Sequence, residues 1–285
     1  MKKAFLYILL AISLTSCDEV VNSLGDGNIV EGLKQALTIA TDTAVHRLSA
    51  PGGYLDDQIV KIGLPPQAET TFKAMEALQT VSSLPLVGDL LSSAGLGINA
   101  NYKDILITAF NRAAEDAAPQ ATQKFVSAIT NMTIADGKTI LMSDDTIAAT
   151  RYLRTNTETD LIGAFGPVIS ESLSKVEVTA FDKSLTANQV WDTYAEQNNK
   201  LADFIASSPL VQTALGLASK VPSLSNEVAI IQSVKRTDTD LGVYVTGEAL
   251  NGLFTKVGSQ EHKIRTDVNA RVTDLLRDVF AKQDK

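Results

Sequence analysis

The chain of 285 residues has one cysteine, one tryptophan and two histidines. A single cysteine excludes an intramolecular disulfide. His46 and His262 lie far apart, without an HxxxH-type neighbour, so no metal-ligand spacing is present and no metal or cofactor is expected. Basic residues are outnumbered 33 to 25, giving a formal charge of −8. That balance opposes nucleic-acid binding, which needs a basic footprint, and disfavours adsorption to anionic head groups. Sustained period-2 alternation is nearly missing, which argues against a sheet-based core; Leu241 to Thr246 is the stretch that passes for a short strand. No apolar run reaches the roughly 20 residues needed to span a bilayer. Val81 to Ala94 is broken by Ser82, Ser83, Pro85 and Asp89.

What the chain does have begins at its N-terminus. Lys2 and Lys3 precede an apolar stretch, Ala4 to Leu14, interrupted only by Ser13. A basic n-region followed by a short apolar h-region is the pattern of an export signal. Leu14-Thr15-Ser16-Cys17 then matches the bacterial lipobox: a branched apolar residue, two small residues and a cysteine. The alternative is an ordinary secretory signal with an incidental cysteine after it. On the lipobox reading, residues 1–16 are a cleaved signal peptide and Cys17 carries a diacylglycerol. Each buried methylene contributes roughly 0.8 kcal/mol, and two or three acyl chains on one residue make a lasting anchor. Lipidation also accounts for the lone thiol and removes it as a nucleophile. Asp18 and Glu19 follow directly. One such aspartate resembles an inner-membrane retention signal, whereas early acidic residues resemble a surface-export signal, so the choice of membrane and face stays open. Without the signal, which holds two of the 25 basic groups, the charge is −10.

Residues 17–28 are polar and carry Gly25 and Gly27, and read as a tether. Residues 29–285 read as one domain. Val30, Leu33, Leu37, Ala40, Ala44 and Leu48 recur at three and four, one apolar helix face, which Pro51-Gly52-Gly53 ends. Tyr54 to Pro66 is irregular and reads as a packed loop. Pro66 to Val81 and Leu84 to Leu96 form a helical pair. Leu106, Phe110, Ala113 and Ala117 mark another helix, and Pro119 suits the first turn of its successor. Ser143-Asp144-Asp145 offers a cap for Thr146 to Arg154. Thr157 with Asp160 resembles a capping box before Leu161, Phe165, Val168, Ile169 and Val176, with a kink expected at Gly166-Pro167. Leu185 to Ala206 is amphipathic; Ser207 to Asp240 is broken into short helices. Leu250, Leu253, Phe254 and Val257, then Val268, Val272, Leu275, Leu276 and Val279, close the chain with a helical period. The expected fold is an all-α, irregular multi-helix bundle in a single domain.

Several blocks carry a family resemblance. They are Gly53-Tyr54-Leu55, Ile62-Gly63-Leu64-Pro65, Asn111-Arg112-Ala113-Ala114-Glu115, Ala148-Ala149-Thr150-Arg151-Tyr152-Leu153, Tyr244-Val245-Thr246, Ala249 to Phe254, Lys263-Ile264-Arg265 and Thr273 to Leu276. Together they resemble the bacterial family catalogued as domain of unknown function 4197, over roughly Val30 to Ala281 and in the family's order. The resemblance implies a helical exported or lipoprotein domain and brings no activity with it. It departs at Asn251, where an acidic residue is expected.

Among polar residues, Asn111, Arg112 and Glu115 stand out. Arg112 has Glu115 three residues on and Asp116 four on, so both acids reach its guanidinium on one helix. At 100° per residue, Asn111 and Glu115 lie opposite the Leu106-Phe110-Ala113 stripe, and Arg112 flanks it. A solvated face makes this an ordinary surface pair; a covering helix makes it a buried network or a pocket lining. Asp136, Arg151 and Glu158 are candidates to join it. Gly95-Leu96-Gly97 lacks the preceding strand and third glycine of a dinucleotide loop. No serine sits in a nucleophile-elbow pattern. Tyr54 and Trp191 read as core aromatics, and the Asn131-Met132-Thr133 sequon as incidental. The expected function is therefore a non-enzymatic envelope module, membrane-bound through Cys17, facing periplasm or cell surface, that binds an envelope protein or a small apolar ligand. The alternatives are an envelope hydrolase or other enzyme using an Arg/Glu/Asp site, and a mechanical role in the envelope.

Overall fold

A break at Pro51-Gly52-Gly53 shapes the first third of the fold. In the computed structural model, residues 25–82, 101–180 and 182–281 are described; Cys17 with its expected signal, and the helix expected over Leu84 to Leu96 with Gly95 and Gly97, lie outside them. Helix α1 (Gly25–Leu48) buries Val30, Leu33, Leu37, Ala40, Ala44 and Leu48, the stripe read from the sequence. It starts before Asn28, inside the expected tether, because a first turn need bury nothing: Gly27 and Asn28 are exposed yet helical. Gly52 then adopts a φ of 86°, a conformation costly for any residue with a Cβ. Gly53 sits so tightly over the last turn of α1 that a Cβ would lie 2.3 Å from the Arg47 carbonyl oxygen. The chain turns irregularly through residues 51–65 and enters α2 (Pro66–Val81), with Pro66 at the first helical position.

Helix α3 (Asn101–Thr130) is one continuous element. Pro119 was expected to start a new helix, but it lies inside this one. An interior proline costs about 3 kcal/mol, and the line Ala113, Ala117, Ala121, Phe125, fully buried on both sides of it, offsets that cost. After α4 (Ile134–Leu141) comes α5 (Ala148–Lys175), which also runs through its expected boundaries. The Thr157 hydroxyl makes no cap; it donates to the Leu153 carbonyl within the helix at 2.6 Å. Pro167 is accommodated inside α5, and Val176 falls beyond its end.

A hairpin absent from the sequence reading follows. Strand β1 (Glu177–Ala180) pairs antiparallel with β2 (Lys183–Thr186), Ala180 opposite Lys183 and Glu177 opposite Thr186. Each strand has four residues, and only Val178 and Ala180 are buried, so there is too little alternation to register as a period. Thr186 and Gln189 form a capping box for α6 (Ala187–Ser207). Helices α7 (Pro209–Ala218) and α8 (Ser225–Gln232) come next. Leu241 to Thr246 is not a strand but the start of α9 (Leu241–Thr266): the Asp240 carboxylate accepts the Val243 N–H at 2.9 Å and sets the helix going. The chain ends in α10 (Asp274–Phe280). Val268 and Val272 leave the expected stripe, at 50% and 64% exposed, because the turn between α9 and α10 faces solvent.

Among the described residues ten α-helices form an all-α bundle in one domain, with the hairpin as a minor addition. Helix α1 is central, packed against α3, α4, α9 and α10, while α5 bridges α3 and α9. The main core joins these elements with the inner ends of α2 and α6. A smaller core lies between the far ends of α2 and α6, and α7 and α8. No single helix among the described residues is long and apolar enough to cross a membrane.

Candidate functional site

Buried polar side chains concentrate where the backbone is irregular. The face of α3 that carries Asn111 and Glu115 is covered neither by water nor by a helix, but by the loop of residues 51–65. Asn111 is fully buried; its Oδ1 accepts the Ile62 N–H at 2.8 Å and its Nδ2 donates to the Ile62 carbonyl at 2.8 Å. One turn on, Glu115 Oε1 accepts the N–H groups of Tyr54 and Leu55, each at 3.1 Å. Its Oε2 takes the Arg112 guanidinium at 2.6 Å. Buried backbone groups without partners are costly, and these two side chains serve the loop as a neighbouring strand would.

The other side of the loop is tied to α9. The buried Tyr54 hydroxyl donates to the Ala249 carbonyl at 2.8 Å, and burial, then the Glu115 charge, push its pKa up. Gly252 lets the ring in: a Cβ there would lie 2.7 Å from Tyr54 Cε1. Lys256 pairs with Asp57, and its hydrogen bond holds that carboxyl below the usual aspartate range. Tyr244 donates to the Gly63 carbonyl at 3.1 Å.

A second buried network was not anticipated. Glu261 and Arg265 on α9 are each almost fully buried and pair at 2.8 Å. Glu261 accepts the Ala149 N–H at 2.9 Å, and the Thr150 N–H and hydroxyl at 2.7 and 2.6 Å. A carboxylate thus closes the N-terminus of α5, where both the open amides and the helix dipole favour negative charge. The expected local cap is secondary, since the one backbone amide that the Asp145 carboxylate reaches is that of Ile147, at 3.0 Å. Buried Arg271 does the converse at the C-terminus of α9, donating to the carbonyls of Ile264 and Arg265 at 2.9 and 3.0 Å. The Arg265 guanidinium lies 5.5 Å from the Phe280 ring centroid. The Glu261–Arg265 spacing of four was the available sequence signal. Burial of the face that carries it was not readable.

The sequence candidates therefore separate. Asn111, Arg112 and Glu115 act on one loop. Asp136 accepts hydroxyls from Thr133 and Tyr152, which hold its carboxyl below the usual range; Tyr152 is raised to about 12 by burial and then by Asp136. Arg151 is exposed and pairs with Asp145 at 2.8 Å. Glu158 binds Arg154, which also donates to Asn251. His46 and His262 are exposed, and no group of three His, Cys, Asp or Glu able to hold a metal occurs among the described residues. Trp191 is buried beside Phe110, at 5.9 Å between ring centroids.

Arg112 alone of the α3 trio reaches solvent, with about a third of its side chain exposed. It opens into a cleft of about 610 Å³ between α3 and β1, lined by Asp104, Ile105, Thr108 and Asp116 on the helix and residues 176–179 on the strand side. Asp116 is partly engaged there, accepting the Ser172 hydroxyl at 2.7 Å and lying 3.6 Å from the Lys175 ammonium.

An all-α single domain, its irregular loop pinned by buried Asn and Glu side chains and flanked by an open cleft, is the class that fold and site define. The chain belongs to the family described as protein of unknown function (DUF4197), which matches residues 23–211 and 208–281. No curated protein and no solved structure matches it.

Proposed function

We propose that this chain is a lipid-anchored, extracytoplasmic binding module of the cell envelope, held at a membrane by acyl chains on Cys17. The observation that carries this reading is Leu14-Thr15-Ser16-Cys17 directly after a basic and apolar leader. A binding role rather than a catalytic one is supported by how the buried carboxylates are used. Glu115 accepts two backbone amides and a guanidinium; Glu261 accepts two amides, a hydroxyl and a guanidinium. A general base needs a free lone pair within reach of a substrate proton; of its roughly four acceptor positions Glu261 uses all inside the fold and Glu115 uses three. The α3–β1 cleft is the open surface next to this framework, and an envelope protein is the partner it suits.

Intact-mass analysis of the mature protein tests the anchor. The expected species begins at Cys17 and carries diacylglycerol, whereas an unmodified Cys17 or a cut elsewhere overturns it. Arg112→Ala tests the cleft in a deletion strain. Lost complementation with an unchanged melting temperature supports a ligand surface there; full complementation removes Arg112 from that role.

A further inference from the structure

The cleft has a strand edge for one wall. The connection between β1 and β2 spans two residues, so Ala180 and Lys183 must be the hydrogen-bonded pair that closes the hairpin. Pairs alternate from there. Val178 and Leu185 exchange bonds, while Glu177 and Thr179 direct their N–H and C=O groups away from β2. Among the described residues the sheet has two strands, and none of those residues is hydrogen-bonded to that outer edge. Residues 176 to 179 line the cleft consecutively. Side chains of a strand alternate between faces, so a run of consecutive lining residues means that the backbone edge itself faces the cleft.

The opposite wall is a ridge of α3. Asp104, Thr108, Arg112 and Asp116 recur every four residues, a ridge inclined about 26° to the helix axis that covers about 18 Å of it at 1.5 Å per residue. Strands run about 3.3 Å per residue, so the row matches an extended segment of five or six residues. Arg112 is tied to Glu115 and Asp116 to Lys175, so the charge left to a ligand is that of Asp104 and Glu177.

We propose that this edge receives an extended, basic polypeptide segment of a partner protein, added antiparallel or parallel to β1 with its lysines or arginines toward Asp104 and Glu177. The inference rests on the reading of the domain as a binding module and names the partner's chemistry. Strand addition takes its affinity from main-chain bonds and its selectivity from side chains; here the main-chain offer is two N–H and two C=O groups, and the selectivity is electrostatic. The chain's own residues 17–24 are excluded by charge, since they hold Asp18 and Glu19 and no base. A second copy would bring the same carboxylates against each other.

The test uses the purified full chain and three fluorescein-labelled heptapeptides: alternating Lys/Val, alternating Glu/Val, and Lys/Val with its edge-facing amides N-methylated. Anisotropy is expected to show binding of the first, at least tenfold weaker binding of the other two, and loss of affinity with rising salt. Thr179→Pro removes an outward N–H without touching the β1–β2 ladder, and is expected to weaken binding at least tenfold with an unchanged far-ultraviolet dichroism spectrum. The variant pair Asp104→Asn and Glu177→Gln, which leaves the edge intact, is expected to narrow the Lys-over-Glu preference. Equal binding of Lys and Glu peptides overturns the inference, as does tight binding by the N-methylated peptide, or self-association lost in Thr179→Pro. Binding of no peptide overturns it too; if anilinonaphthalene sulfonate still binds and its binding is lost in Arg112→Ala, the broader binding-module reading survives that failure.

Discussion

Removing the Asn111 carboxamide strands an N–H and a C=O of Ile62 in the interior, since both find their partner in that one side chain. Each orphaned buried group costs about 1–3 kcal/mol. Asn111→Ala is therefore expected to lose at least about 2 kcal/mol in urea unfolding, and Asn111→Asp to recover only the N–H half. A loss under half a kcal/mol, within the usual range for surface changes, would sink the account of the loop. Glu261→Gln tests the second network. It leaves Arg265 charged and almost fully buried without a counter-charge, while the amide can still accept from only one side of the α5 terminus. Breaking a buried pair on one side costs about 3–5 kcal/mol, and that loss is the expected outcome. Asn251 is milder. The resemblance leads one to expect an acid there, and here the Asn251 side chain accepts from Arg154, whose guanidinium also lies 5.4 Å from the Phe254 ring centroid. Asn251→Asp is expected to raise stability by under about 1 kcal/mol, as half-exposed pairs do, with the gain fading in high salt.

At the scale of elements, the helices announced themselves wherever one face was apolar and the other polar. The stripe of α1 and the start of α2 at Pro66 were legible for that reason. Three things hid from the sequence, each for a physical cause. Boundaries at Pro119 and Thr157 dissolved because packing on both sides outweighed a local preference. The hairpin was too short to show a period. The face of α3 with Asn111 and Glu115 was seen as polar, but its cover was an irregular loop, and no periodicity predicts where a loop lies. Asn111, Arg112 and Glu115 were found by residue type and spacing, while the cleft beside them depends on β1 and was invisible. Gly52, by contrast, was legible as a helix stop, and Gly52→Ala is expected to destabilise by about 1–2 kcal/mol through its positive φ alone. Unfolding measurements on Gly53→Ala, where the clash is with backbone, should show a larger loss.

For the molecule as a whole, the tyrosines give a readable alkaline limit. Tyr54, Tyr102, Tyr152, Tyr194 and Tyr244 all ionise above their ordinary value near 10, burial being the first cause in each, with Tyr152, Tyr194 and Tyr244 pushed up to about 12. A phenol raised in the fold stays protonated when the unfolded chain has already released its proton. Stability is thus whole below pH 10 and falls as pH rises toward 12. Absorbance at 295 nm should rise together with the loss of helical dichroism; tyrosines that titrate near pH 10 in an intact fold would contradict their burial. At the acid end, Asp57, Asp136 and Asp145 are held below the usual aspartate range by partners in the fold, so their contribution is present above that range and lost as pH drops through it.

The cap that Glu261 places on α5 comes from 111 and 112 residues further along the chain, and Arg271, which closes α9, comes later still. A polypeptide delivered N-terminus first therefore reaches its middle helix long before it owns the group that completes it. Until the last two dozen residues arrive, α5 has open amides and α1 lacks the cover of α10. For a chain exported N-terminus first, as proposed above, both caps can close only after residues 261 and 271 have come through.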